Sequence, residues 1–301
     1  MRHDAIVACG ERFSIGAPVV LWTDPGGYDA YSTLPHFATP ANAEPLQGTR
    51  YLPGRRVKRE GHDTPMLGAL AGASSCFNEL RGVIDMFVVH YDVCGVSRTC
   101  FKVLQDQRKL SVHFMLDIDG TLYQTLDLAE TAWHARQANP RSVGIEIANM
   151  GAYAPGAKSA LDTWYAQDEH GTRIVLPKAV GDGGVRTPDF VGRPARGVRI
   201  AGTIQGTPYE QYDLTPQQYD TLVKLAAKLC EIFPKIMPDA PRGADGKVTT
   251  TALSDAEFAA FHGILGHYHV TKDKQDPGPA FDWDVFLERV HEQLATSVPK
   301  P

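Results

Sequence analysis

The hydrophobic pattern of the chain changes character near residue 83. Upstream, Gly, Pro and turn residues dominate, and one strand-like run, Pro18-Val19-Val20-Leu21-Trp22, is closed by Asp24-Pro25-Gly26-Gly27. With so few periodic apolar segments, residues 1–82 read as an extension packed on a main domain rather than as a separate core. Downstream, Ile84 to Tyr91 is a continuous apolar run of strand length and predicts a central strand. Val96 to Lys109 has helical composition, and Val112 to Leu116 followed by Asp117 to Tyr123 predicts two strands joined at an Asp-Gly turn. Ser142 to Ala148 predicts a further strand, with Val143, Ile145 and Ile147 on one face and Gly144, Glu146 and Ala148 on the other.

Residues 150–214 carry many Gly, Pro and polar residues without steady periodicity, as expected of an insertion that shapes the rim of a groove. A helix follows at once: Thr215 is suited to the N-cap, Pro216 to the first turn and Gln218 to a capping box. Its stripe of Tyr219, Leu222, Val223, Ala226, Leu229, Cys230 and Phe233 should lie on the sheet, with Pro234 ending it. Gly263 to Val270 predicts another strand, and Trp283, Phe286, Leu287, Val290 and Leu294 a closing amphipathic helix. Strands interleaved with packing helices indicate an α/β fold, a mixed central sheet flanked by helices, over residues 83–298.

Composition narrows the function classes. The 301 residues are 43% hydrophobic and 22% charged, with no apolar run near the ~20 residues needed to cross a bilayer. The formal net charge is −5, and the one compact basic run, Arg55-Arg56-Val57-Lys58-Arg59, reads as a solvated loop, which argues against nucleic acid as a partner. The first residues hold too short an apolar segment for a secretory signal, so localisation is not legible, and neither is the oligomeric state. Five cysteines without a CxxC argue against a fully disulfide-stapled framework and against a cysteine-rich zinc site. Cys94 and Cys100 are close enough in sequence to pair in an oxidising compartment.

The candidate chemistry lies at strand ends. His90 closes the first central strand, where a histidine can enter a cleft without spoiling the core. In Gly266-His267-Tyr268-His269, the period of two in a strand aims both histidines at one face, so either or both are candidate metal ligands. Asp276 follows in a loop stiffened by Pro277-Gly278-Pro279. Two imidazoles and a carboxylate would hold zinc with a fourth position open. Glu146, on a strand face otherwise made of small residues, is suited to move a proton, and Lys274 to stabilise an oxyanion.

Six segments occur in an order that resembles type 2 N-acetylmuramoyl-L-alanine amidases, a family that includes phage lysozyme-type amidases and the peptidoglycan recognition proteins. They are Phe87-Val88-Val89-His90, Ser111-Val112-His113-Phe114, Thr131-Ala132-Trp133-His134-Ala135, Ser142-Val143-Gly144-Ile145-Glu146, Thr215-Pro216-Gln217-Gln218-Tyr219, and Gly266-His267 through Lys274-Gln275-Asp276-Pro277-Gly278-Pro279-Ala280-Phe281-Asp282-Trp283. The resemblance implies one Zn2+ held by His90, His267 and Asp276, with Glu146 and Lys274 catalytic and His134 lining a substrate cleft. It selects His267 over His269, and it gives His113 no ligand role. Phage-type members carry a tyrosine where this chain has Val112, which leaves the proton transfer to Glu146. The Cys94/Cys100 pair is similar to a disulfide of the recognition proteins. The implied activity is hydrolysis of the amide between the muramoyl lactyl group and L-alanine in peptidoglycan or muropeptides. The competing expectation is a non-catalytic peptidoglycan-binding module, and a zinc peptidase is disfavoured by the lack of HExxH.

Overall fold

A computed structural model describes residues 3–37, 44–59, 62–66 and 73–297. Met1, Arg2, Glu60 and Val298 lie outside the described residues, as do the side chains of Lys58 and Arg59. The chain opens with a hairpin of β1 (Ala5–Ala8) and β2 (Glu11–Ser14), then β3 (Val19–Leu21), the short β4 (Tyr51–Leu52) and a second hairpin, β5 (Arg56–Arg59) and β6 (His62–Pro65). Helix α1 (Ala73–Val83) leads into β7 (Met86–Tyr91), followed by α2 (Ser97–Lys102), which continues as a π-helix over Val103–Arg108. Strands β8 (Phe114–Leu116) and β9 (Leu122–Gln124) form the expected hairpin, and β10 (Thr131–Ala132) and a 3-10 segment at Arg136–Arg141 precede β11 (Ser142–Ile147).

The next stretch holds α3 (Leu161–Trp164), the hairpin β12 (Tyr165–Asp168) and β13 (Gly171–Ile174), and the hairpin β14 (Arg199–Ile204) and β15 (Thr207–Tyr212). Helix α4 (Pro216–Ile232), α5 (Asp255–Ala260), β16 (Gly263–Gly266), α6 (His267–Val270) and α7 (Trp283–Ser297) complete the chain. None of the described helices is long and apolar enough to cross a membrane.

Among the described residues the central sheet runs β16-β7-β11-β8-β9-β3. Its pairs are parallel except β8 with β9, so the sheet is mixed, as the sequence predicts. The side-chain period of two divides it into two faces. Phe87, Val89, Phe114, Leu116, Val143, Ile145 and Ile264 pack with Leu222, Leu225 and Leu229 of α4 and Phe286 and Val290 of α7 in the main core. Helix α4 starts as its sequence dictates: Thr215 Oγ1 accepts from the Gln218 N–H at 3.1 Å and Gln218 Oε1 from the Thr215 N–H at 2.9 Å. Cys230 is buried in the same core. The opposite face, bearing Met86, Val88, His90, Gly144 and Glu146, is the one from which chemistry is available.

Several expectations change on this frame. The N-terminal region is more ordered than its composition suggests, because β1 and β2 bury Ile6 and Val7, β3 extends the central sheet and α1 precedes the first central strand. Arg55 is not solvated: at 1% exposure it donates to the carbonyls of Leu128 (2.9 Å), Pro140 (3.1 Å) and Ser142 (2.9 Å). Five N–H donors in a planar fork let one guanidinium bond several backbone carbonyls at once. Burial lowers its pKa to about 9, partly offset by Glu130 and Asp127, so it stays charged at neutral pH. The cysteine pairing also differs. Cys9 bonds to Cys76 and ties the first hairpin to α1, while Cys94 and Cys100 remain free thiols.

The strand expected over Gly263 to Val270 stops at Gly266, and the chain turns into α6. The cause is local. His269 Nδ1 accepts the Gly266 N–H at 2.9 Å, and a Cβ on Gly266 would lie 2.6 Å from Pro277 Cδ. An imidazole that caps a helical turn withdraws its residue from the strand alternation.

Candidate metal centre and cleft

Two adjacent parallel strands bring the chemistry together. β7 and β11 pair in a register that sets Glu146 beside His90, so the two side chains rise from the same face as neighbours. α6 begins where β16 ends and delivers His267, and the loop before α7 returns Asp276 to the same point. His90 Nδ1 lies 2.8 Å and His267 Nδ1 3.0 Å from Asp276 Oδ2, all three residues being buried. They form one of the clusters able to hold a metal ion among the described residues.

The electrostatics suit that donor set. Burial, with His267 and Lys274 adding to it against the pull of Asp276, lowers the His90 pKa to about 4, so its imidazole is neutral and has a lone pair to give. Burial alone would raise the Asp276 carboxyl, but the two imidazoles hold it well below the usual carboxylate range. A carboxylate oxygen with two imidazole nitrogens is the donor set of an open zinc site. Two polar atoms of the cluster, His267 Nε2 and Glu146 Oε2, are buried without a partner. Groups left this way commonly face something the polypeptide does not supply.

His134 acts behind His90. His90 Nε2 is 3.0 Å from His134 Nδ1, and His134 Nε2 is 3.2 Å from Ser142 Oγ. If the His90 Nδ1 lone pair faces a metal, its Nε2–H must donate to His134 Nδ1, whose own Nε2–H then donates to Ser142. One tautomer satisfies the whole chain. Burial, reinforced by His90 and His113, holds His134 well below the ordinary imidazole pKa, which keeps it neutral and able to accept.

The small residue opposite is required by this arrangement. A Cβ on Gly144 would stand 2.5 Å from His134 Cε1 and Nδ1. If His90 holds a metal, Gly144→Ala is therefore expected to displace the ring and weaken metal binding by about 10–100-fold, the range for losing a partner behind a ligand, with unchanged far-UV circular dichroism. Wild-type metal affinity in this variant would remove His134 from the account.

His113 does not reach the cluster. Its Nδ1 accepts the Gly144 N–H at 3.1 Å, its Nε2 meets the Glu130 carbonyl at 3.1 Å, and burial beside Arg55 lowers its pKa to about 3. It is a neutral structural histidine. His269, whose Nε2 lies 2.7 Å from the Thr249 carbonyl, is likewise occupied away from the metal donors.

The cleft, about 380 Å³, is lined by His90, Glu146, His134, His267, Lys274 and Asp276, the six residues singled out from the sequence. Arg108, Trp133, Arg136 and Asn139 join them and were missed. Trp133 stands in the same motif as His134 and was there to be noticed, whereas Arg108 comes from the π-helix and carried no signal. No residue of 150–214 lines this cleft. Instead Gln211 of β15 grips the Asp276 loop from behind: its Nε2 donates to the Pro277 carbonyl and its Oε1 accepts the Ala280 N–H, each at 3.1 Å. The insertion builds its own small core around Leu161, Trp164 and Tyr165.

Residues 80–279 match the family model described as N-acetylmuramoyl-L-alanine amidase. No curated protein matches the chain. Among solved structures it is similar to the amidase AmiD from E. coli in complex with anhydro-N-acetylmuramic acid-L-Ala-D-gamma-Glu-L-Lys, at 17% identity and a TM-score of 0.40, covering 78% of this chain and 65% of that one. It is similar to the endolysin LysCS from Clostridium intestinale (15%, TM-score 0.37, covering 70% and 86%). It is also similar to the hydrolase AmiA from Staphylococcus aureus in complex with its ligand (13%, TM-score 0.39, covering 72% and 75%).

Proposed function

Since the chain belongs to the N-acetylmuramoyl-L-alanine amidase family, we propose that it hydrolyses the amide between the lactyl group of N-acetylmuramic acid and L-alanine, in peptidoglycan or muropeptides, using one zinc ion. His90, His267 and Asp276 would hold the ion. When bound there, zinc supplies a Lewis acid that polarises a carbonyl and lowers the pKa of water towards ~7.

The remaining steps fall to this chain's side chains. Glu146 accepts the proton of the attacking water and returns it to the departing L-alanine nitrogen, so that an amine rather than an amide anion leaves. Burial, reinforced by Asp276 and Asp92, pushes its carboxyl well above the usual range, as suits a group that must both take and give a proton. Lys274, at the same cleft, stabilises the negative charge that grows on the carbonyl oxygen. His134 keeps His90 in the tautomer whose Nδ1 lone pair is free. The observation that carries this reading is the meeting of two Nδ1 atoms on one Asp276 oxygen, beside a buried, unpartnered carboxyl oxygen of Glu146.

Mass analysis of a purified muropeptide after incubation tests it. The expected products are a stem peptide with a free N-terminal alanine and an intact sugar acid, formed only while metal is present. A cut inside the stem would make the protein a peptidase, and binding without release of any amine would make it a recognition module.

A further inference from the structure

We propose that Asp92, Cys94 and Cys100 form a second cation site, in the wall of the same cleft, that takes a thiophilic divalent ion of the zinc or cadmium class. One oxygen and two sulfur donors from these residues lie within 4.8 Å of one another. Both sulfurs are unbridged thiols, Cys100 buried on α2 and Cys94 half-buried in the turn after β7. Tetrahedral bonds of ~2.3 Å place two sulfurs about 3.8 Å apart, so small rotations of the thiols close the site.

The carboxylate is already fixed for the purpose. Asp92 Oδ1 accepts the N–H groups of Cys94 (2.8 Å), Gly95 (3.0 Å) and Asn149 (3.1 Å). Its other oxygen, Oδ2, is buried with no partner. The turn has little freedom to move, since a Cβ on Gly95 would lie 2.5 Å from the Trp164 ring. All three residues line the cleft, which leaves a coordination position facing solvent.

Soft thiolates select zinc or cadmium over magnesium or calcium, and binding releases the two thiol protons. The cation would stand on the wall that also carries Glu146. Excess zinc should therefore suppress hydrolysis, a consequence that rests on the proposed reaction, whereas the site itself does not.

Cobalt(II) separates the two sites, because the His90, His267 and Asp276 set contains no sulfur. Metal-stripped protein, kept anaerobic and titrated with cobalt, is expected to bind two equivalents and to show a thiolate-to-cobalt charge-transfer band in the near ultraviolet. The band should persist in His267→Ala and vanish in Cys94→Ser and in Cys100→Ser. Asp92→Asn should weaken the band-forming step by about tenfold or more. Far-UV circular dichroism checks each variant, and Cys94→Ser, a change at a half-buried position, carries the test if another fails to fold. Absence of the band from protein that titrates three free thiols when denatured overturns the proposal. So does a count of one thiol, which would mean that Cys94 and Cys100 are bridged, or a band that survives both serine variants.

Discussion

Asp276→Ala is expected to leave a folded protein that binds one zinc equivalent fewer than the wild type, the ion of the His90 and His267 imidazoles, and whose amide hydrolysis falls to the uncatalysed background. Asp276 contributes the only anionic donor of the set, and its Oδ2 is the atom on which both imidazoles converge. Without it, two imidazole nitrogens remain, too few donors for tight binding of the ion. In the metal-free protein, where an Nδ1–H of each imidazole can donate to Oδ2, the cost to stability is that of two charge-assisted hydrogen bonds, about 1.5–3 kcal/mol each, softened because His90 is held neutral by its burial. Metal content by elemental analysis, read beside thermal unfolding, checks the prediction. Chelation of the wild type should produce the same loss of activity, reversed by added zinc, and zinc should fail to rescue the variant. Wild-type zinc content and full turnover in Asp276→Ala would mean that the ion, if one is used, lies elsewhere.

Glu146→Gln should separate metal binding from proton transfer. Glutamine preserves the shape of the side chain and cannot accept a proton, so turnover is expected to fall by about 10²–10⁴-fold, the usual contribution of a positioned acid or base. Zinc content and KM should stay within about twofold, since uniform binding is untouched. The pH profile gives a second readout. Wild-type activity is expected to need the deprotonated carboxylate and to fall as pH drops through the raised pKa of Glu146, an acid limb that the glutamine variant should lack. Stability should not suffer: the charged form of Glu146 is disfavoured by burial and its Oε2 is unpartnered, so a neutral isostere is expected to match or raise the unfolding temperature. A variant that melts early would point to misfolding, and one that turns over normally would transfer the proton to another residue.

These predictions rest on features that differ in how far they can be read from the chain alone. The runs at Ile84 to Tyr91 and Ser142 to Ala148 declare strands because apolar side chains at strand spacing have one way to leave water together. Helix α4 declares its own start, since a capping box closes within four residues and needs nothing from the rest of the molecule. His90, Glu146 and His267 were visible at the ends or on the free faces of such elements, Lys274 and Asp276 in the loop that follows, and His134 only through the resemblance of its motif; all six line the cleft.

Long-range selection is another matter. His90 and Asp276 are 186 positions apart, and their approach depends on the strand order that sets β16 beside β7 and β11 on its other side. Local pattern could not choose between His267 and His269, because an alternation argument assumes a strand and the strand ends at Gly266. Arg55 looked like part of a solvated basic loop until the fold surrounded it with carbonyls, and Cys9 looked unremarkable until α1 brought Cys76 against it. Propensity, capping and alternation act across a few residues of covalent chain, so the sequence determined the elements and the kinds of donor. Which donors meet, which charges are buried and which thiols lie side by side are set by packing between elements distant in the chain, and only the tertiary structure decided them.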